Sequence, residues 1–256
     1  MRGREIPGAW GATMSSVSRN DADNEDSYLV GPVGEGSPLI LGAVADGMGG
    51  HLAGEVASAM ALEALRDHLE QGIRDTSSGG MGELLRDATA YANETVLRAS
   101  QSRCEWRGMG TTLTAVVADG FDFSVCHVGD SRAYWYSRQF TQLVTLTRDH
   151  RLAAEAPEEV APSLGRVLTR AVGVAELIEI DHSSGTAKPG DRILVCTDGI
   201  TGVLDSPVMR DVISSTTPES VPGTLVDMAS RRGSLDDATA VVLAWSDIEE
   251  ETDFDR

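Results

Sequence analysis

The sequence predicts an α+β fold in which helices are layered on sheets of mainly antiparallel strands. Three observations lead there. Apolar runs of strand length recur from residue 27 to residue 245 without the regular strand-helix alternation of a βαβ chain. Asp119-Gly120 separates Thr111–Ala118 from Asp122–Val128, a strong short-range signal for an antiparallel hairpin. Helical periodicity comes in two blocks, residues 55–103 and 205–231, and not after each strand.

Taken in order, residues 8–17 suit a first strand, residues 18–26 a polar loop and Ser27–Val30 a second strand. Residues 31–38, rich in Gly and Pro, turn the chain back. Leu39–Ala45 is apolar throughout, as expected of a strand buried on both faces. Glu55–Leu69 sets Val56, Ala59, Met60, Leu62 and Leu65 at helical spacing, with charges opposite. After a Ser/Gly-rich break at 72–82, a second helix is expected from Glu83 to Arg103. Arg132–Tyr136 and Thr141–Thr145 read as a second hairpin. Residues 150–168, rich in Ala, Glu and Pro, read as a partly helical flap that influences access to any site nearby. Residues 167–172 and 176–182 are short and fit no class cleanly. Lys188-Pro189-Gly190-Asp191 turns the chain into the strand Arg192–Cys196. Helices over 205–214 and 218–231 then precede a last strand, Ala238–Trp245.

The 256 residues are ample for one large domain, expected over 8–246, with an acidic, frayed tail at 247–256. Hydrophobic content of 41% with 24% charged residues is ordinary for a globular protein and excludes wholesale disorder. Forty acids against 21 bases give a net charge of −19, which argues against nonspecific binding to nucleic acid or anionic membranes. Three cysteines (Cys104, Cys126, Cys196) show no paired spacing, and two of them lie in apolar strand runs. Neither a disulfide framework nor a zinc site is expected. Residues 1–10 lack the apolar segment of a secretory signal, and no apolar run approaches the roughly 18 residues of a membrane span. A cytoplasmic, reduced, monomeric protein is the expectation.

The residues that carry chemistry lie at strand ends. Leu39–Ala45 runs into Asp46-Gly47, and Gly49 and Gly50 then open a loop. A carboxylate beside backbone that can approach closely suits a hard cation, held by side-chain and carbonyl oxygens together. Phe123–Val128 runs into Gly129-Asp130, and Arg192–Cys196 into Thr197-Asp198-Gly199. Glu25-Asp26 precedes the Ser27 strand, and Asp236-Asp237 precedes the Ala238 strand. One such aspartate is a turn former. Acids at the ends of five strands point to a shared pocket lined with oxygens.

These segments fall in the order of a known family. Asn24-Glu25-Asp26, Ala45-Asp46-Gly47-Met48-Gly49-Gly50-His51, Gly108-Met109-Gly110-Thr111-Thr112 and Val128-Gly129-Asp130-Ser131-Arg132 come first. Leu146-Thr147-Arg148-Asp149-His150, Leu168-Thr169-Arg170-Ala171-Val172-Gly173, Thr197-Asp198-Gly199-Ile200 and Asp236-Asp237-Ala238-Thr239 follow. Together they resemble the metal-dependent Ser/Thr protein phosphatases of the protein phosphatase 2C type, in their compact bacterial form, over Trp10 to Trp245. The resemblance implies a four-layer α/β/β/α sandwich, two mainly antiparallel sheets flanked by helix pairs, with a dinuclear Mn²⁺ or Mg²⁺ centre at one end. Carried over, Asp46 would bridge the two ions, Asp198 and Asp236 would complete one, and Glu25 with the carbonyl of Gly47 would complete the other. Asp26 would hold water bound to the metals, and Asp130 with Asp198 would form a weaker third site. Phosphoserine/phosphothreonine proteins are the implied substrates, and Hanks-type kinases the implied opposing enzymes.

The chemistry asks for the same residue types. Phosphate monoester dianions repel hydroxide and hydrolyse extremely slowly unaided. Two cations roughly 3.5–4 Å apart acidify a bridging water, neutralise the phosphate and align direct attack. Oxygen ligands select Mg²⁺ or Mn²⁺ over zinc. No cysteine lies in a phosphate-cradling loop, so no covalent nucleophile is expected.

The resemblance departs in one place. Relatives carry a phosphate-binding Arg four residues before the Glu of the Asn-Glu-Asp motif, and this chain has Asp21 there. Arg19 is the nearest base and the candidate to bind phosphate; otherwise another arginine serves. His51 is a candidate proton donor to the leaving oxygen, or a cap of the following helix. Asp130 either joins the metal site or only caps a turn or pairs with Arg132. The family usually has Asp-Asn where this chain has Asp236-Asp237, and motif register favours Asp236. Arg170 and Asp149 are expected to support loop geometry. Two other classes compete: a pseudophosphatase that binds phosphoproteins without turnover, prompted by Asp21, and an acidic calcium-binding protein, which lacks any repeated ligand loop.

Overall fold

Alternate residues of the central strands face two different cores, and this alternation sets the layering. On β3 (Leu39–Met48), Ala43 and Ala45 pack toward helices, whereas Val44 faces the opposite way, toward Val116, Val125 and Val241. On β10 (Arg192–Cys196), Leu194 and Cys196 face one core and Ile193 and Val195 the other. β11 (Ala238–Trp245) is buried at every position for the same reason. Strands covered on both faces read as continuous apolar runs, which is how they stand in the sequence.

The computed structural model describes residues 9–16, 24–49, 51–74, 80–155, 164–165 and 167–246, with backbone alone for 9–16, 51–52 and 74. One sheet has the order β1 (Ala9–Ser16), β11, β10, β7 (Arg132–Ser137), β8 (Gln142–Thr145). The other runs β2 (Asp26–Pro32), β3, β5 (Leu113–Asp119), β6 (Asp122–Val128), β9 (Asp181–Thr186), with the short β4 (Gly110–Thr111) on the end of β3. All the strand pairs are antiparallel. α1 (His51–Arg74) and α2 (Met81–Ser102) cover the second sheet, and α4 (Asp198–Thr201), α5 (Ser206–Ser215) and α6 (Val221–Arg231) cover the first. The expected four-layer α/β/β/α sandwich is what forms.

Small side chains bring α1 close to its sheet. Ala53, Ala57, Ala61, Leu65 and Leu69 recur every four residues on the buried face, the spacing that keeps one face of a helix on one surface. Between the sheets, Trp245 closes the far end of the core and donates its indole N–H to the carbonyl of Gly120 at 2.6 Å. Cys126 and Cys196 are buried as small hydrophobes, and Cys104 is exposed. Among the described residues no helix is long and apolar enough to cross a membrane.

Two expectations need correction, and two readings that the sequence leaves open are decided. β3 does not stop at Ala45; it continues through Asp46 to Met48 because Gly47 and Met48 pair with Thr111 and Gly110 of β4. The helix expected from Glu55 to Leu69 starts at His51 and runs to Arg74. Residues 176–180 lie outside any strand, and the strand is Asp181–Thr186, paired to β6. Arg132 pairs with Asp149, not Asp130, through bonds of 2.6 and 2.8 Å. The flap is described only in part: Leu152–Glu155 forms the short helix α3, and residues 156–163 and 166, like the tail from Asp247, lie outside the described residues.

Candidate active site

Antiparallel pairing puts the end of one strand beside the start of the next, and so brings acids remote in sequence together. Asp26, the first residue of β2, is the cross-strand partner of Asp46. In the other sheet, Asp198 follows β10 while Asp236 precedes its neighbour β11. Thr197 ties these two ends: its N–H donates to the Thr239 carbonyl at 3.1 Å, and its hydroxyl accepts from the Thr239 N–H at 3.0 Å. The same hydroxyl donates across the sheets to Asp26 Oδ2 at 2.8 Å. Asp130 follows β6 through Gly129 at φ +113°, where an added Cβ would lie 2.6 Å from Thr112. Only glycine serves there.

Asp46, Asp130, Asp198 and Asp236 line one cleft of about 490 Å³, with Met48, Leu168 and Val174 forming an apolar side. Crowding of acids is visible in their proton affinities. Burial, then the carboxylates of Asp26, Asp198, Asp236 and Asp130, hold the Asp46 carboxyl well above the usual range. Burial pushes Asp26 up to about 7, with Asp237 and Asp236 adding to it against hydrogen bonds from Thr239 and Thr197. Asp130 is pushed up to about 6, by burial first and by Asp198 second. Such shifts mark a site built to hold positive charge.

Glu25 sits in a cradle of bare backbone. Its carbonyl accepts from Gly47 N–H at 3.1 Å and from the Ser58 hydroxyl at 2.7 Å. A Cβ on Gly54 would lie 2.1 Å from Glu25 Oε2, and one on Gly47 would lie 2.1 Å from the Gly54 carbonyl oxygen. Asp237 fixes this loop by accepting from the Glu25 N–H at 2.9 Å. The adjacent acids thus divide: Asp236 lines the cleft, while Asp237 turns to the Glu25 backbone.

Hard oxygen donors, a cradle with no room for a methyl group and a buried Asp26 Oδ1 that has no hydrogen-bond partner among the described residues all fit a divalent cation. Among the described residues no three His, Cys, Asp or Glu side chains already stand at coordinating distance, so the fit rests on those features.

Of the remaining candidates, Arg19 lies outside the described residues, and His51 appears as the first residue of α1, backbone only. Three bracing residues were given no role from sequence. Thr112 accepts from the Asp46 N–H at 2.9 Å and bonds Ser131 at 2.8 Å, and Thr197 bonds Asp26. Their signal was adjacency: each lies one or two residues from a glycine or acid of the pattern. Asn93 on α2 clamps a cleft loop, accepting from Gly173 N–H and donating to the Ala175 carbonyl. Asp149 and Arg170 brace loops as expected, Asp149 through Arg132 and Arg151, Arg170 through Glu179 and Asp181.

The family model for protein phosphatase 2C matches residues 15–228. The chain belongs to the protein phosphatase 2C family. A serine/threonine phosphatase of Listeria welshimeri is 33% identical over 200 residues, 75% of this chain and 78% of its own length. The Mycobacterium tuberculosis serine/threonine phosphatase PstP superposes with a TM-score of 0.80 at 29% identity, over 93% of this chain and 99% of that one. A structure of the PstP catalytic domain in complex with two manganese ions gives 0.79 at 30% identity, over 93% and 99%. Family membership makes this chain an enzyme, a metal-dependent protein-serine/threonine phosphatase, as the resemblance implied.

Proposed function

We propose that the chain hydrolyses phosphoserine and phosphothreonine in proteins at a dinuclear Mn²⁺ or Mg²⁺ centre, by direct attack of water. The observation that carries this is the convergence of Asp46, Asp130, Asp198 and Asp236 on one cleft, with Asp46 strained by its neighbours' charge. In this reading Asp46, Asp198 and Asp236, with Glu25 and the Gly47 carbonyl, would hold the ions, Asp46 being shared between them. Asp26, steadied by Thr197, orients water, and Asp130 with Asp198 offers a weaker third position. When bound, the ions supply charge neutralisation for the phosphate and an acidified water.

The protein's own residues do the rest. Thr112, Thr197 and Asp237 hold the carboxylates and the Glu25 loop in place before substrate arrives, so little reorganisation remains. Met48, Leu168 and Val174 limit water on one side of the cleft. Arg19 is assigned to the substrate phosphate and His51 to the leaving oxygen's proton. Substrates of Hanks-type kinases, a monomeric state and a cytoplasmic location accompany this reading. A binding-only role has no observation in its favour, since the cleft keeps its acids.

The test is p-nitrophenyl phosphate turnover with Mn²⁺, with and without chelator, in the wild type and in Asp198→Asn. Metal-dependent turnover abolished by the substitution is expected. A pure wild type that binds phosphopeptide with no release of phosphate under any divalent ion would overturn the reading.

A further inference from the structure

Two further hollows lie beside the cleft, the first of them across the wall formed by Thr169 and Arg170. The cleft shares those two residues with a second hollow, which in turn shares Arg148 and Asp181 with a third, of about 510 Å³. Along this path the sign of the charge inverts. Arg170 is neutralised by Glu179 and Asp181, each at 3.0 Å. In the last hollow the exposed Arg86 of α2 and the exposed Arg148 beyond β8 share one space with His182. Among the described residues neither arginine makes an ion pair, and Arg148 donates only to the Ala154 carbonyl, at 3.3 Å. Asp181, the one carboxylate of that lining among the described residues, is already engaged by Arg170 and by His150 at 3.1 Å. Burial first, and then the field of Arg86, holds His182 below the ordinary imidazole range.

Two guanidinium groups that face one hollow with no ion pair among the described residues are out of keeping with a chain of net charge −19, whose general field repels acidic substrates. We propose that this hollow is a second anion subsite of the phosphatase, receiving a carboxylate or a further phosphoryl group on the same protein segment whose phosphoester enters the cleft. The inference rests on the phosphatase reading and adds a substrate class to it, segments phosphorylated within acidic or multiply phosphorylated sequence. Guanidinium forks suit such groups. Because Arg86 and Arg148 lie away from the reacting phosphate, they act on association and register, hence on KM, and leave kcat alone.

The test compares two phosphothreonine peptides, one flanked by glutamates and one by alanines, with wild type, Arg86→Glu and Arg86→Lys. Arg86 is exposed on a helix, so the variants keep the fold, and p-nitrophenyl phosphate turnover checks this. The wild type is expected to show the lower KM for the acidic peptide. Arg86→Glu should raise that KM by roughly three- to tenfold, with kcat, the alanine peptide and p-nitrophenyl phosphate unchanged, and Arg86→Lys should restore it. Fluorescence anisotropy of the labelled acidic peptide in chelator reads binding without turnover and should weaken in Arg86→Glu. A wild type indifferent to the flanking charge, or a charge reversal that affects both peptides equally, overturns the subsite. Absence of p-nitrophenyl phosphate turnover in the wild type would instead overturn the phosphatase reading, and the anisotropy comparison would still decide the subsite.

Discussion

Asp26 and Asp46 stand directly opposite one another on β2 and β3. After burial, Asp26 is the largest cause of the raised proton affinity of Asp46. Like charges facing each other across an antiparallel pair destabilise a sheet, and here three further acids, Asp130, Asp198 and Asp236, share the space with Asp46. A divalent cation reverses the sign of that interaction. Without metal, Asp46→Asn should therefore stabilise the protein by about 1 kcal/mol, as removal of one buried like charge does. The same substitution should remove the rise in Tm that Mn²⁺ gives the wild type, along with turnover. Thermal melts with and without Mn²⁺ check both, and a metal-free Asp46→Asn that melts lower than wild type would count against the account.

Two glycine substitutions separate site from scaffold. A Cβ on Gly199 would lie 1.8 Å from the Asp237 carbonyl oxygen, backbone that cannot step aside. Gly199→Ala should cost about 3 kcal/mol or more, read by urea denaturation. At Gly54 the nearest obstacle is the tip of the Glu25 side chain, at 2.1 Å, which can swing away. Gly54 lies within α1, where alanine gains up to about 1 kcal/mol in helix propensity. Gly54→Ala should leave stability within about 1 kcal/mol and raise the half-saturating Mn²⁺ concentration roughly tenfold, a loss of one ligand's orientation.

How far the sequence could be read follows from where each strand sits. β11 was legible to the residue because cores cover both its faces, so every position is buried and all but Thr239 are apolar. β9, Asp-His-Ser-Ser-Gly-Thr, lies at the sheet edge with alternate residues exposed, so nothing apolar announces it and only pairing to β6 makes it a strand. The extension of β3 depends on a two-residue partner more than sixty residues away in sequence. In the site, the acids were legible because they cluster at strand ends. The bond from Glu25 to Asp237 spans 212 residues, and the packing of Glu25 on Gly54 is likewise tertiary. Local sequence holds no trace of either.

His127 sets an acid limit on stability. Burial first, and the neighbouring His150 second, push it down to about 4 from 6.5, and its Nε2 donates to the Arg148 carbonyl at 3.0 Å. The folded state therefore binds fewer protons than the unfolded state between those values. Its contribution is present above about pH 6.5 and lost as pH falls through about 4. Asp26 and Asp130, with raised values of about 7 and about 6, act with the opposite sign in metal-free protein, so the difference between wild type and His127→Gln isolates the histidine. Going from pH 7.5 to 4.5, the stability of the wild type should fall relative to that of His127→Gln, as denaturation at the two pH values would show. An unchanged dependence would mean that His127 is not held neutral.

The family resemblance implies a phosphate-binding arginine where this chain has Asp21, and the proposed reading gives that role to Arg19. Arg19→Ala should raise KM for phosphopeptide about tenfold or more, as loss of a charge-assisted bond to phosphate does, with Mn²⁺ affinity unchanged. Steady-state kinetics beside Mn²⁺ titration would show this. An unaltered KM would assign the phosphate to another base.

The central claim is that strand-end carboxylates from both sheets embrace a pair of ions. Anomalous diffraction at the manganese edge, from crystals grown with Mn²⁺, tests it most directly. Two peaks about 3.5–4 Å apart, with Asp46 between them and Asp198 and Asp236 on one, is the result expected. Manganese bound elsewhere, or a lone peak that Asp46 does not touch, would contradict it.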